Sequence, residues 1–158
     1  MDNLPALDPR ITSFVVLDET GTRPLAYHDL VEHTGTWSTT SPTPPGVAEL
    51  LKTTRDIYSL AVYHYELFAV ASLWSLLAVE ASLRVHYDDD RASLKALIAR
   101  AQRDSLLTAE WAARLDAGRE LRNSFLHGRQ QPVWTPGMAA GIIRATHAAV
   151  AHLFPQDT

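Results

Sequence analysis

Residues 57–87 read IYSLAVYHYELFAVASLWSLLAVEASLRVHY. No proline or glycine interrupts this stretch or the ten residues that lead into it from Val47. It is apolar nearly all round, and a helix of that kind must be covered on more than one side. The stretch therefore predicts a long central helix, or two helices joined at a kink, around which the rest of the chain packs. Tyr63, Glu66, Val70, Leu73, Leu77, Glu80 and Arg84 follow heptad-like spacing and are expected to share one stripe, with two carboxylates set among core residues.

Outward from this core, Asp88-Asp89-Asp90 closes the element, and Asp90 is the expected N-cap of a helix starting at Arg91. Three aspartates could also hold a divalent cation, but no second carboxylate cluster with ligand spacing lies nearby, so the cap-and-turn reading is preferred. A further helix is expected from about Thr108 to His127, with Trp111, Leu115, Leu121 and Phe125 among its apolar positions and Gly128 after its end. The last should begin with Thr135 as cap and Pro136 at the first helical position, and end at Phe154 before Pro155. Residues 47–158 are thus expected to form an all-α antiparallel bundle of about four helices. Residues 1–46 are of another kind. Ile11-Thr12-Ser13-Phe14-Val15-Val16-Leu17 is β-branched and aromatic, 18–22 is turn chemistry, and Pro24-Leu25-Ala26-Tyr27 would return as a partner strand. The proline-, serine- and threonine-rich segment 34–46 reads as an extended linker. A two-stranded ribbon is marginal alone, so the hairpin is expected to pack on a neighbour, pair with another subunit or dock a partner protein.

The 158 residues suffice for one domain with a proper core. The absence of cysteine excludes disulfides, thiolate nucleophiles and cysteine-ligated metals, and fits a reducing compartment. The chain opens Met1-Asp2-Asn3-Leu4-Pro5, which is no signal peptide, and the uncharged apolar run 67–79 is too short to span a bilayer. No membrane association and a cytoplasmic location are the expectation. The seven histidines are scattered, with no two at metal-ligand spacing on a predicted helix, so neither a metal site nor a cofactor is expected. Glycine-rich phosphate loops, the dinucleotide fingerprint and the nucleophile elbow are absent from the sequence. A formal net charge of −4 argues against nucleic-acid binding as an average, but it is unevenly distributed. Residues 91–129 hold eight of the 14 basic residues and four of the 18 acidic ones, a net of +4, which leaves −8 elsewhere.

That basic region contains the segment richest in chemistry, Glu120-Leu121-Arg122-Asn123-Ser124-Phe125-Leu126-His127-Gly128. A guanidinium, an amide and an imidazole fall within two turns at the end of a helix. Asn123 and His127 are four apart and share a face, so the amide can orient the ring. Arg122 and His127 are five apart, about 140° around an ideal helix, and converge on one ligand only across a groove or a distorted last turn. Imidazole is the side chain whose charge changes nearest neutral pH, which suits a general acid or base.

The pattern Arg122-Asn123-x-x-x-His127, after a leucine-rich helix and before Gly128, resembles the Arg-x(4 to 6)-His signature of HEPN domains. Upstream, Glu80-x-x-Leu83-Arg84 resembles the Glu-x-x-Leu-Arg pattern on the long helix of many bacterial members. The resemblance covers residues 47–154 and implies an all-α homodimer whose two motifs face each other. Many members are metal-independent endoribonucleases of defence or toxin systems; others are non-catalytic interaction modules. On this reading RNA supplies its own 2′-hydroxyl nucleophile, His127 acts as general base or acid, and Arg122 binds the scissile phosphate. Asn123 orients His127 or contacts the phosphate, while Arg119 and Arg129 contribute to RNA binding. Arg129 stands where the members that pair with a nucleotidyltransferase antitoxin usually carry tyrosine, which argues against such a partner.

A carboxylate on an apolar stripe must be paired or protonated. Glu80 has two candidate partners, Arg122 on a neighbouring helix and Arg84 four residues on in its own. Glu66 is expected to be structural. The rival to catalysis, a non-catalytic dimeric interaction module, predicts that Arg122 and His127 are held in internal hydrogen bonds. A third reading, a small-molecule sensor, predicts a sizeable apolar cavity between bundle helices, lined by Trp74 or Trp111.

Overall fold

The computed structural model describes residues 5–19, 21–37, 39–127 and 134–156. A 3-10 turn over Pro9–Ser13 leads into a two-stranded antiparallel hairpin, β1 (Val15–Asp18) and β2 (Gly21–Pro24), in which Val16 faces Arg23 and Asp18 faces Gly21. Among the described residues six helices follow: α1 (Tyr27–Gly35), α2 (Pro45–Leu60), α3 (Leu67–Tyr87), α4 (Leu94–Arg103), α5 (Ala109–Leu126) and α6 (Pro136–Leu153). The chain is mostly helical with a short N-terminal hairpin, as expected, but the helical part is more than four rods.

The central stretch resolves into two helices, α2 and α3, which pack against each other, while α6 covers α3 from another side. Nothing in the composition of 61–66 breaks a helix; the break is held from outside. The Asp8 amide donates to the Val62 carbonyl at 2.9 Å, and the Asp8 carboxylate accepts from the Tyr65 amide at 3.0 Å, so one residue satisfies backbone groups on both sides of the interruption. Arg10 completes the clasp, bridging Asp8 and Glu66 at 2.7 Å each and lying over the Tyr65 ring. Glu66 is thus structural, and it stands before α3, exposed, rather than among core residues. The expected heptad stripe is likewise displaced. Val70, Leu73, Leu77, Glu80 and Arg84 lie half-buried along the flank of α3, whereas the fully buried face carries Phe68, Ala71, Ser75, Ala78, Val79 and Leu83. Hydroxyls enter this face because they bond their own helix: Ser72 donates to the Phe68 carbonyl at 2.8 Å and Ser82 to that of Ala78 at 2.6 Å. By length and composition α3 could cross a membrane, but most of it is buried inside the fold, as befits a core helix.

The hairpin is shorter than expected and shifted in register. Residues 9–13 form the 3-10 turn, the returning strand is Gly21–Pro24, and Tyr27 opens a helix instead of closing a strand. The Asp29 carboxylate, at the third position of α1, accepts from the Ala26 amide at 2.8 Å and so satisfies a donor at the helix start. Between α3 and α4 two of the three aspartates serve cap and turn. Asp88 takes the left-handed conformation that ends α3 (φ 50°), and Asp89 accepts from the Arg91 and Ala92 amides. The N-cap of α4 is Ser93, not Asp90, so that helix starts at Leu94, three residues later than expected. Thr135 caps the last helix as read, accepting from Met138 N, and Thr108, read only as the approximate start of its helix, is the N-cap of α5 and accepts from Trp111 N.

The main core joins Tyr58, Phe68 and Ile143 to Ile11, Leu30 and Trp37 of the first 46 residues. A second cluster, with Leu83, Leu97, Leu107 and Leu115, sits among α3, α4 and α5. Segment 34–46 lies against the bundle, where the Thr40 hydroxyl donates to the Phe154 carbonyl at 2.6 Å.

Candidate functional site

The last two turns of α5 carry Arg122, Asn123 and His127, and α3 lies beside them. Arg122 is turned inward. Its Nη1 donates to Glu80 Oε2 at 3.0 Å, and its side chain is 22% exposed. Glu80 is equally occupied on its other oxygen, where Arg84 Nη2 donates to Oε1 at 2.7 Å. The two candidate partners of Glu80 are therefore both engaged, one carboxylate serving two guanidiniums. A carboxylate that is 14% exposed would be costly unpaired, and two charge-assisted bonds offset its desolvation. The trio carries a net positive charge. Among the described residues the buried Nε atoms of Arg84 and Arg122 have no hydrogen-bond partner, and Nη2 of Arg122 makes no hydrogen bond.

His127 caps the C-terminus of α5. Its amide donates to the carbonyls of Asn123 and Phe125, and its side chain is exposed. No hydrogen bond joins the Asn123 amide group to the imidazole, and none joins Arg122 to His127. Within one chain the structure thus brings Arg122 to Glu80 and presents His127 to solvent. Arg129 and Gly128 lie outside the described residues.

The basic region is answered in part by its own acids. Arg119 Nε donates to Asp116 at 2.6 Å with Glu120 at 3.4 Å from its Nη2, and the Arg119 bond holds the Asp116 carboxyl below its usual range. Arg114 pairs with Glu110 at 2.6 Å, and Arg100 lies 3.9 Å from Asp104 and over the Tyr87 ring. Arg91, Lys95 and Arg103 have no ion pair among the described residues. The net +4 is correct as a count, but Arg100, Arg114 and Arg119 are paired with acids of the same region and Arg122 with Glu80.

In the sequence Arg84 stands as an alternative partner for Glu80 and as the arginine of Glu80-x-x-Leu83-Arg84; the i, i+4 spacing signals the first bond and does not exclude the second, from Arg122 across the helix gap. Among the described residues no group of three or more histidine, aspartate or glutamate side chains gathers to hold a metal ion. Compared with protein-family models, with curated proteins and with solved structures, the chain matches none.

Proposed function

We propose that the chain is a HEPN-like endoribonuclease acting as a homodimer, with Arg122 and His127 as its catalytic pair. The observation that carries this reading is the anchoring of Arg122 by Glu80. A guanidinium fixed on one edge, with Nη2 unbonded among the described residues, is pre-organised to meet a phosphoryl oxygen, and an exposed imidazole ends the same helix. In this reading the RNA 2′-hydroxyl attacks the adjacent phosphorus while one His127 takes its proton. Arg122 stabilises the charge that develops on the phosphoryl oxygens, and the partner's motif supplies the acid that protonates the departing 5′-oxygen. The products are a 2′,3′-cyclic phosphate and a 5′-hydroxyl. Asn123 contacts the phosphate, and Arg119 and Arg129 meet the RNA backbone, Arg119 by exchanging Asp116 for phosphate. A cytoplasmic toxin or defence role fits this chemistry, and the hairpin would serve to dock a partner protein.

The test is incubation of the purified chain with single-stranded RNA and a chelator, beside Arg122→Ala and His127→Ala. Cleavage with cyclic-phosphate ends should fall by about 10² to 10⁴ in each variant. An inert wild type, or variants as active as it, overturns the catalytic reading. One observation favours the second reading, a non-catalytic interaction module: Arg100, Arg114, Arg119 and Arg122 are all turned to carboxylates of their own chain. That reading predicts no cleavage and a lower melting temperature for Arg122→Ala.

A further inference from the structure

Both α5 and α6 rest on α3, and above α3 they leave an open groove of about 390 Å³ between them. That volume falls within the roughly 300 to 1,000 Å³ of small-molecule sites. The walls are Leu76 of α3, Trp111, Leu115 and Leu121 of α5, and Ile142 and Thr146 of α6. The Thr146 hydroxyl is already bonded to Ser75 Oγ at 3.1 Å, so the floor presents no unsatisfied polar group to an apolar occupant. Trp111 stands at the rim, half-buried, with the Arg114 guanidinium 5.9 Å from its ring centre. Arg114 is the one charged residue of the lining. Its partner Glu110 is 73% exposed, and an exposed pair of that kind is readily exchanged for another carboxylate.

We infer that this groove binds a small amphipathic carboxylate, an aliphatic or aromatic acid. Its apolar body lies between α5 and α6, and its carboxylate takes the place of Glu110 on Arg114. The sign of the head group follows from Arg114, whose planar fork pairs a carboxylate through two parallel bonds. The apolar body follows from the walls. Arg122 and His127 do not line the groove, so this inference stands apart from RNA cleavage.

Decanoate is the probe, with decanol as its neutral counterpart, titrated into the full chain by calorimetry and by following the indole N–H signals in ¹⁵N spectra. Two variants fill the groove from opposite walls. Gly141→Leu adds its side chain where a Cβ meets nothing within 4 Å and removes a helix-interior glycine, so the fold should be kept. Ala117→Leu does the same from an exposed position on α5. Saturable one-to-one binding of decanoate should shift the Trp111 signal, identified through Trp111→Phe, and both filled variants should weaken binding about tenfold or more. Arg114→Gln should weaken decanoate about tenfold while leaving decanol nearly unchanged. Absence of saturable binding overturns the inference, as does undiminished binding in both filled variants, or movement of the Trp37, Trp74 or Trp134 signal in place of Trp111. A wild-type dimer that the filled variants turn into monomer in sedimentation would also overturn it, because the groove would then belong to a second copy.

Discussion

Glu80 distributes its two oxygens between Arg84 on its own helix and Arg122 on α5. With Glu80 gone, two half-buried guanidiniums face each other with no counter-charge between them. Glu80→Gln, which keeps the shape, should lower unfolding free energy by about 1 to 2 kcal/mol, and Glu80→Ala by somewhat more. Urea denaturation measures this, and double-mutant cycles pairing Glu80 with each arginine apportion it. A coupling confined to Arg84 would mean that Arg122 is not anchored. Tyr58 is a second residue whose surroundings set its chemistry. It is buried, donates to the Pro136 carbonyl at 3.2 Å, and burial pushes its phenol up to about 12. The folded state binds the Tyr58 proton more tightly than the unfolded chain, so the stabilisation is complete below pH 10 and is lost as pH rises from 10 toward 12. Phenolate absorbance in an alkaline titration should show one tyrosine ionising together with unfolding, and Tyr58→Phe should remove that late step.

The hairpin and α1 are joined by charge. Arg23 on β2 reaches Asp29 through both Nη atoms, at 2.6 and 2.7 Å, and its Nε donates to Asp18 on β1 at 2.8 Å. The bond to Arg23 is the largest reason why the Asp29 carboxyl is lowered from 3.8 to about 2. Because the folded value is the lower one, this stabilisation is present above pH 4 and disappears as pH falls from 4 to 2. A shift of that size is worth at most about 2 kcal/mol, and solvent screening of the pair brings it to about 1. Asp29→Asn should cost that amount at neutral pH, little at pH 2 and nothing once the pH is well below that, with hairpin amide exchange as the readout. None of this was legible in the chain, because Arg23 and Asp29 look like loop residues until α1 exists, and α1 was hidden by reading Pro24-Leu25-Ala26-Tyr27 as a strand. Elements with strong local signals could be read: the glycine- and proline-free stretch, Thr135 as a cap, and α5 running from about Thr108 to His127. What escaped was whatever depended on a distant partner. The interruption at 61–66 depends on Asp8, and the start of α4 depends on a competition between Asp89 and Ser93 that spacing alone does not decide. At the site, the residue types and their helix were legible, but the inward turn of Arg122 required knowing that α3 brings Glu80 alongside.

For the molecule as a whole, the first 46 residues supply core as well as surface. Val15 and Leu17 are exposed on the hairpin, 62% and 80%, while Ile11, Leu30 and Trp37 are almost wholly buried against α2, α3 and α6. Trp37 is the largest of these. Its ring lies 5.2 Å from that of Tyr58 and 5.7 Å from that of His147, bridging α2 and α6. Burying a large apolar side chain contributes roughly 1.5 to 3 kcal/mol each, so the three together rival the 5 to 15 kcal/mol of net stability that a domain commonly has. Segment 34–46 then acts as a strap that holds Trp37 in place, fastened by Thr40 at the end of α6. Two consequences can be measured. Trp37→Ala in the full chain should cost about 3 to 5 kcal/mol in urea denaturation. Residues 47–158 produced alone should keep much of their helical circular dichroism but lose cooperative unfolding, because Tyr58, Phe68 and Ile143 would face water. Sharp two-state unfolding of that fragment, with stability near that of the whole chain, would show that the first 46 residues ride on the bundle without holding it together.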